Sequence, residues 1–261
     1  MRKELVYGIA LFLASTTIII SSKNIRADSE SYQTSGEIGF TPGKEITPPI
    51  NPGPNNPGSA VTPIWPDGKT PPPGTPGPLS IDYVSSFDFG INNISTQDRT
   101  YYAKSQRYIN SNLETPNYIQ VTDNRGTTAG WTLKVIEKAQ FRQENVSAKH
   151  RVLEGAMISL KNPEAVSANE DAAPKIQEIN NLVPGKETVV ATAEKGAGVG
   201  TWTIRWGSKL VKQNALNKEG NVVKENFNTD VQLYVPGKTI KDAASYTTQL
   251  KWILSELPQN S

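Results

Sequence analysis

Apolar residues recur at every second position along most of this chain, in short runs. Leu79, Ile81 and Tyr83 alternate with Ser80, Asp82 and Val84, and Phe87, Phe89 and Ile91 continue the same period. A period of two places one face of a strand against a core, so a folded domain is expected to open at Leu79. Similar runs follow at Tyr118 to Val121, Trp131 to Ile136, Ala156 to Leu160, Thr188 to Ala193, Thr201 to Trp206 and Val231 to Val235. In the last run, Tyr246 to Pro258, Tyr246, Thr248, Leu250, Trp252 and Leu254 share one face, while Lys251, Ile253 and Ser255 share the other. A helix would also align Tyr246, Leu250, Ile253, Leu254 and Leu257, but it leaves Trp252 off the apolar stripe. The Tyr-Thr-Thr start and the Trp favour a strand, and Pro258 ends it because it has no N–H to donate. Pro184-Gly185 and Pro236-Gly237 punctuate the runs as turns. Many short strands without a convincing helix predict an all-β, antiparallel sandwich or barrel-like single domain over residues 79–261. Two segments fit this less well. Arg99 to Asn112 reads as a loop or short helix, and Asn162 to Asn181, with Pro163 and Pro174, as a long surface loop.

Ahead of Leu79 the pattern disappears. Residues 1–27 carry Arg2 and Lys3, then an apolar run from Ile9 to Ile20 broken by Ser15, Thr16 and Thr17, which has the parts of a secretory signal peptide cleaved after Ala27. The run is short for a bilayer span, which needs about 20 apolar residues. From residue 28 to 78 Pro and Gly crowd in, including Pro71-Pro72-Pro73-Gly74 and Pro76-Gly77-Pro78. Such a segment buries too little apolar surface to offset its ordering entropy, and it is expected to be a disordered Pro/Gly-rich linker. If Thr41 to Pro78 were polyproline-like, at about 3.1 Å per residue it would reach on the order of 100 Å. Trp65 within it, and Trp206 in the domain, are candidate exposed stacking platforms for a sugar or a partner, with local packing the competing role for Trp65.

Charge sharpens the picture only after the leader is set aside. The full chain of 261 residues has a formal charge of +2. Arg2, Lys3, Lys23 and Arg26 against Glu4 give residues 1–27 a charge of +3, which leaves about −1 for the remainder. The basic balance therefore belongs to the export signal and does not point to nucleic acid. The absence of cysteine excludes disulfides, thiolate nucleophiles and Cys-based metal sites. The single histidine, His150, lies between Lys149 and Arg151 with no carboxylate to orient it and no nucleophile motif around it, so no catalytic residue is expected. Glu170-Asp171 and Asp82 with Asp88 are carboxylate pairs of the kind a glycosidase needs, but spacing along a chain does not place them across a cleft. Asp82, Asp88, Asn92, Asn93 and Asp98 match no calcium-loop spacing and read as turn-forming Asx side chains. Lys195 to Gly200 resembles a phosphate loop, yet it lacks the following Lys-Ser/Thr and leads into a strand. No cofactor or metal is expected. A cationic cluster of Arg125, Lys134, Lys138, Arg142, Lys149 and Arg151 opposes Glu137 and Glu144. It reads as a solvated face, with attraction to anionic wall polymers as the functional alternative.

Three short segments share a Trp-x-aliphatic form: Trp131-Thr132-Leu133, Trp202-Thr203-Ile204 and Trp252-Ile253-Leu254. The last lies inside Tyr-x-x-x-Leu-x-Trp-x-Leu-x-x-x-Pro, written here by Tyr246, Leu250, Trp252, Leu254 and Pro258. With Trp131 and Leu133 upstream, this resembles the WxL-domain surface proteins of low-GC Gram-positive bacteria. The opening Gly77 to Gly90 and the inner Gly200-Thr201-Trp202 also look like that family, and the likeness covers Leu79 to Ser261. Trp202-Thr203-Ile204 carries Ile in place of Leu and is read as core. The resemblance implies a non-catalytic, secreted protein held non-covalently at the cell wall. Its implied partners are peptidoglycan or an associated wall polymer, and other WxL-type or membrane-anchored surface proteins. An adhesin facing a host matrix or an external polysaccharide is the competing class. Because period two aims Trp252 and Leu254 inward beside Trp131 and Leu133, the motif is expected to close the core first and to offer a wall-binding surface second.

Overall fold

The computed structural model describes residues 30–53, 57–169 and 171–257. Residues 1–27, expected as a signal peptide, and Pro258 lie outside the described residues. The chain divides into two compact units, the second starting at Phe40. Residues 30–39, the described part of the first, are exposed and without regular secondary structure.

The second unit is all-β among the described residues, and every strand pairing is antiparallel. In chain order the strands are β1 (Pro63–Ile64), β2 (Leu79–Val84), β3 (Arg99–Lys104), β4 (Gln106–Tyr108), β5 (Glu114–Thr115), β6 (Tyr118–Asp123), β7 (Trp131–Glu137) and β8 (Met157–Leu160). They continue as β9 (Pro163–Val166), β10 (Lys175–Ile176), β11 (Thr188–Ala193), β12 (Gly200–Trp206), β13 (Val211–Leu216), β14 (Val222–Val235) and β15 (Leu250–Glu256). Three sheets, ordered β10-β11-β7-β15, β2-β6-β12-β9 and β13-β14-β3 with β8 beside β14, wrap one apolar core. That core draws on Trp131, Leu133 and Val135 of β7, Ile119 and Val121 of β6, Trp202, Ile204 and Trp206 of β12, and Val231, Leu233 and Val235 of β14. The inward positions are those the period-two pattern selects, because alternate side chains on a strand face the same way.

Three expectations change. Arg99 to Asn112 holds strands β3 and β4 where a loop or helix was expected: Ala103 is buried, while its neighbours are half-exposed and polar enough to hide the alternation. Asn162 to Asn181 contains the short edge strands β9 and β10, as well as loop. The third change concerns the Pro-rich linker, part of which is strapped to the domain. Gly43 donates its backbone N–H to Asn124 O, Ile50 N–H to Gln120 Oε1 at 2.8 Å, Gln120 Nε2 to Pro48 O at 3.0 Å and Arg205 Nη1 to Pro52 O at 2.6 Å. Residues 63–64 then form β1 of a small sheet, β1-β4-β5. Beneath that sheet Tyr83, Tyr108 and Tyr118 make a second apolar cluster, with Val61 packed against it. Proline costs this segment little at Pro48 and Pro52, whose missing N–H groups leave no donor to satisfy while their carbonyl oxygens accept from the side chains of Gln120 and Arg205.

Candidate functional site

The two motif strands lie side by side. β15 pairs with β7 over its whole length, setting Leu254 opposite Leu133, Trp252 opposite Val135 and Leu250 opposite Glu137. Trp131 and Leu133 are fully buried, whereas Tyr246, Leu250, Trp252 and Leu254 are partly buried and pack on the same core. Among the described residues β15 stands at the end of its sheet with one edge unpaired, and its half-burial follows from that position.

Two of the indoles are held by one turn. Trp131 Nε1 donates to Gly198 O at 2.9 Å, and Trp202 Nε1 to Val199 O at 3.0 Å. The glycine-rich turn before β12 is therefore the seat of the tryptophans and not a phosphate cradle. Gly198 has φ +72°, and a Cβ there would stand 2.4 Å from Ala193 Cβ and 2.8 Å from Trp131 Nε1. Asp171 Oδ2 accepts from Val199 N–H in the same turn, an acid where an anion would have to sit.

Trp206 is a correction. It was expected as an exposed platform, but it is wholly buried on the inner face of β12, with Phe87 edge-on at 5.7 Å and Trp252 at 5.8 Å between ring centroids. Its period-two relation to Trp202 and Ile204 carried that information. Trp65 is half-buried beside Asp88 and Lys104 at the rim of a shallow pocket.

At the end of β15 nearest the motif tyrosine, two loops face one another. Tyr246 braces them: its hydroxyl donates to His150 O at 2.8 Å and accepts from Asp242 N–H at 2.9 Å. Gln143 Nε2 adds bonds to His150 O at 3.2 Å and Asp242 Oδ2 at 2.8 Å, and Thr239 Oγ1 donates to Glu154 O at 2.6 Å. Arg142 and Thr247 exchange both backbone bonds at 2.9 Å. Between the loops opens a cavity of about 610 Å³ lined by Lys149, His150, Arg151, Val152, Glu154, Gly155, Lys238, Thr239 and Ile240. The sequence shows Lys149 to Arg151 as a cationic run. It does not show that Lys238 joins them, because that meeting depends on the long-range brace of Tyr246.

The rest of the cationic cluster is divided. Arg125 is buried, with Nε 2.9 Å and Nη2 2.7 Å from Asp123, and its Nη1 pairs with Glu256 at 2.8 Å, clipping the end of β15. Lys134 pairs with Glu187 at 2.9 Å and, helped by Lys251, holds that carboxyl below its usual range. Glu137, the inward residue at the end of β7, is buried with neither carboxylate oxygen hydrogen-bonded among the described residues, and desolvation pushes it up to about 7. The Asx candidates are scattered: Asp82 is buried among Ser80, Gln120 and Thr122, while Asp98 holds Tyr234 and Gly237. No cluster of metal-ligating side chains occurs among the described residues. Of the paired acids, Glu170 lies outside the described residues.

The structure thus defines an all-β module whose signature tryptophans join neighbouring strands and whose last strand borders an open cleft. The family model of the WxL domain, surface cell wall-binding, matches residues 27–258, and the chain belongs to that family. The matched span takes in the Pro-rich strap as well as the strands. No curated protein and no solved structure matches the chain. No helix among the described residues is long and apolar enough to cross a membrane.

Proposed function

We propose that the mature chain is exported and held non-covalently on the Gram-positive wall, with peptidoglycan as ligand, and that it binds without catalysis. The observation that carries this reading is the pairing of the two motif strands into one terminal sheet of a WxL domain, with its outer face left open. On that face Lys251, Ile253 and Ser255 of β15 stand opposite Ile136, Lys134 and Thr132 of β7, a mix of aliphatic and cationic side chains able to lie along a glycan strand and its peptide carboxylates. Residues 28–261 should co-sediment with peptidoglycan freed of protein. Failure to do so without a partner protein present would overturn this reading.

One observation favours a second reading, assembly with another surface protein. The outer edge of β15 has no strand partner among the described residues and offers a template for an added strand. Wall association that appears only when a second surface protein is added would select it.

A further inference from the structure

The cleft braced by Tyr246 carries more positive charge than its own architecture uses. Lys149, Arg151 and Lys238 line it from two loops, and none of them has a carboxylate within ion-pair distance among the described residues. Glu154 is the one acid of the lining. This local excess sits on a mature chain whose formal charge is about −1. The loops are tied together through Tyr246, Gln143 and Thr239, so the spacing between the Lys149–Arg151 side and the Lys238 side is set before any ligand arrives. Arg151 Nε is engaged by Gln143 O at 3.3 Å, which orients the guanidinium and leaves its terminal nitrogens for an anion. Val152 and the exposed Ile240 supply carbon surface between the cations.

We propose that this cleft binds a phosphodiester-linked wall polymer, the cations meeting successive phosphates and the aliphatic side chains lying against the carbon units between them. The opening is wide and its charges are spread over two loops, which suits a repeating anion passing through and not a single carboxylate held in a deep pocket. The proposal rests on the wall-attachment reading and adds a second wall component to it.

The test compares residues 28–261 on protein-free walls with the same walls stripped of phosphodiester polymers by hydrofluoric acid. Intact walls should be bound at least about tenfold more tightly, with the difference shrinking as salt shortens the screening length below about 10 Å. Lys149→Gln/Lys238→Gln, which leaves the Gln143 contact of Arg151 in place, should reduce the preference to within about twofold while keeping the wild-type unfolding midpoint. Tyr246→Phe, which loosens the brace, should fall between the two. A double variant that keeps the full preference overturns the proposal, as does a wild-type chain that binds stripped and intact walls equally. In either case wall attachment itself still stands. A wild-type chain that binds neither preparation overturns both.

Discussion

Every residue of β6 in the sheet β2-β6-β12-β9 is buried, including Gln120 and Thr122 on the side away from the core. In the sheet β10-β11-β7-β15, β7 alternates strictly between buried and half-buried positions, and Lys251 of β15 is exposed. The two sheets share one core, so the difference lies in what covers their outer faces. Over the first, the strap of residues 43–53 and 57–64 gives the carbonyls of Pro48 and Pro52 to Gln120 and Arg205. Nothing among the described residues does the same for the second. In this WxL domain the Pro-rich segment closes one face, and the C-terminal motif presents the other.

Removing the strap should have the largest effect. Four bonds tie it to Gln120, Arg205 and Gln106, and at about 1 kcal/mol each a domain begun at residue 79 should lose about 4 kcal/mol or more against one begun at residue 40. Denaturant unfolding of the two proteins measures this, and equal midpoints would return the segment to the status of a tether.

Trp131→Ala comes next. It empties a fully buried site and orphans Gly198 O, at about 3–5 kcal/mol, whereas Trp252→Ala on the half-buried edge strand should cost about 2–3 kcal/mol. A folded Trp252→Ala protein with wild-type stability that no longer binds walls would make Trp252 a contact residue and not a core-closing one.

Glu137 ranks close to these. In the unfolded chain its carboxyl titrates near the ordinary 4.5, and in the folded protein near about 7, so between these values the folded state holds the extra proton. Its contribution is therefore most favourable below about pH 4.5 and is lost as pH rises through about 7, by about 3 kcal/mol in total. Glu137→Gln should flatten that part of the stability profile, and a variant as pH-sensitive as the wild type would count against this assignment. The smallest effect belongs to the open face: Lys251→Gln should shift stability by less than about 0.5 kcal/mol, since the side chain is exposed.

The same contrast explains what the sequence discloses. Leu79–Val84, Thr188–Ala193 and the motif strands have one apolar face, and their alternation marks both the strands and the core positions of Trp131, Leu133 and Trp252. Gln120, Thr203 and Arg205 also obey the alternation, and as polar residues they read as solvent-facing. Gln120 and Arg205 are bonded by residues 48–52, 70 or more positions from Gln120 in sequence and with the composition of a disordered tether, while Thr203 bonds to Val166 O of β9. β3 and β4 are obscured because the only apolar residues they fully bury are Ala103 and Tyr108, and the third buried residue, Gln106, is polar. The cleft depends on Tyr246 reaching the His150 carbonyl 96 residues away, a contact the Tyr of the motif announces by type but not by target.

Amide hydrogen exchange of residues 28–261, free and bound to purified walls, tests the contrast between the two faces most directly. Added protection is expected in the loop 138–155 and in residues 238–256, with the strap at residues 43–53 and 57–64 unchanged. Protection concentrated on the strap, with β15 and the Tyr246 cleft exchanging as in the free protein, would contradict it.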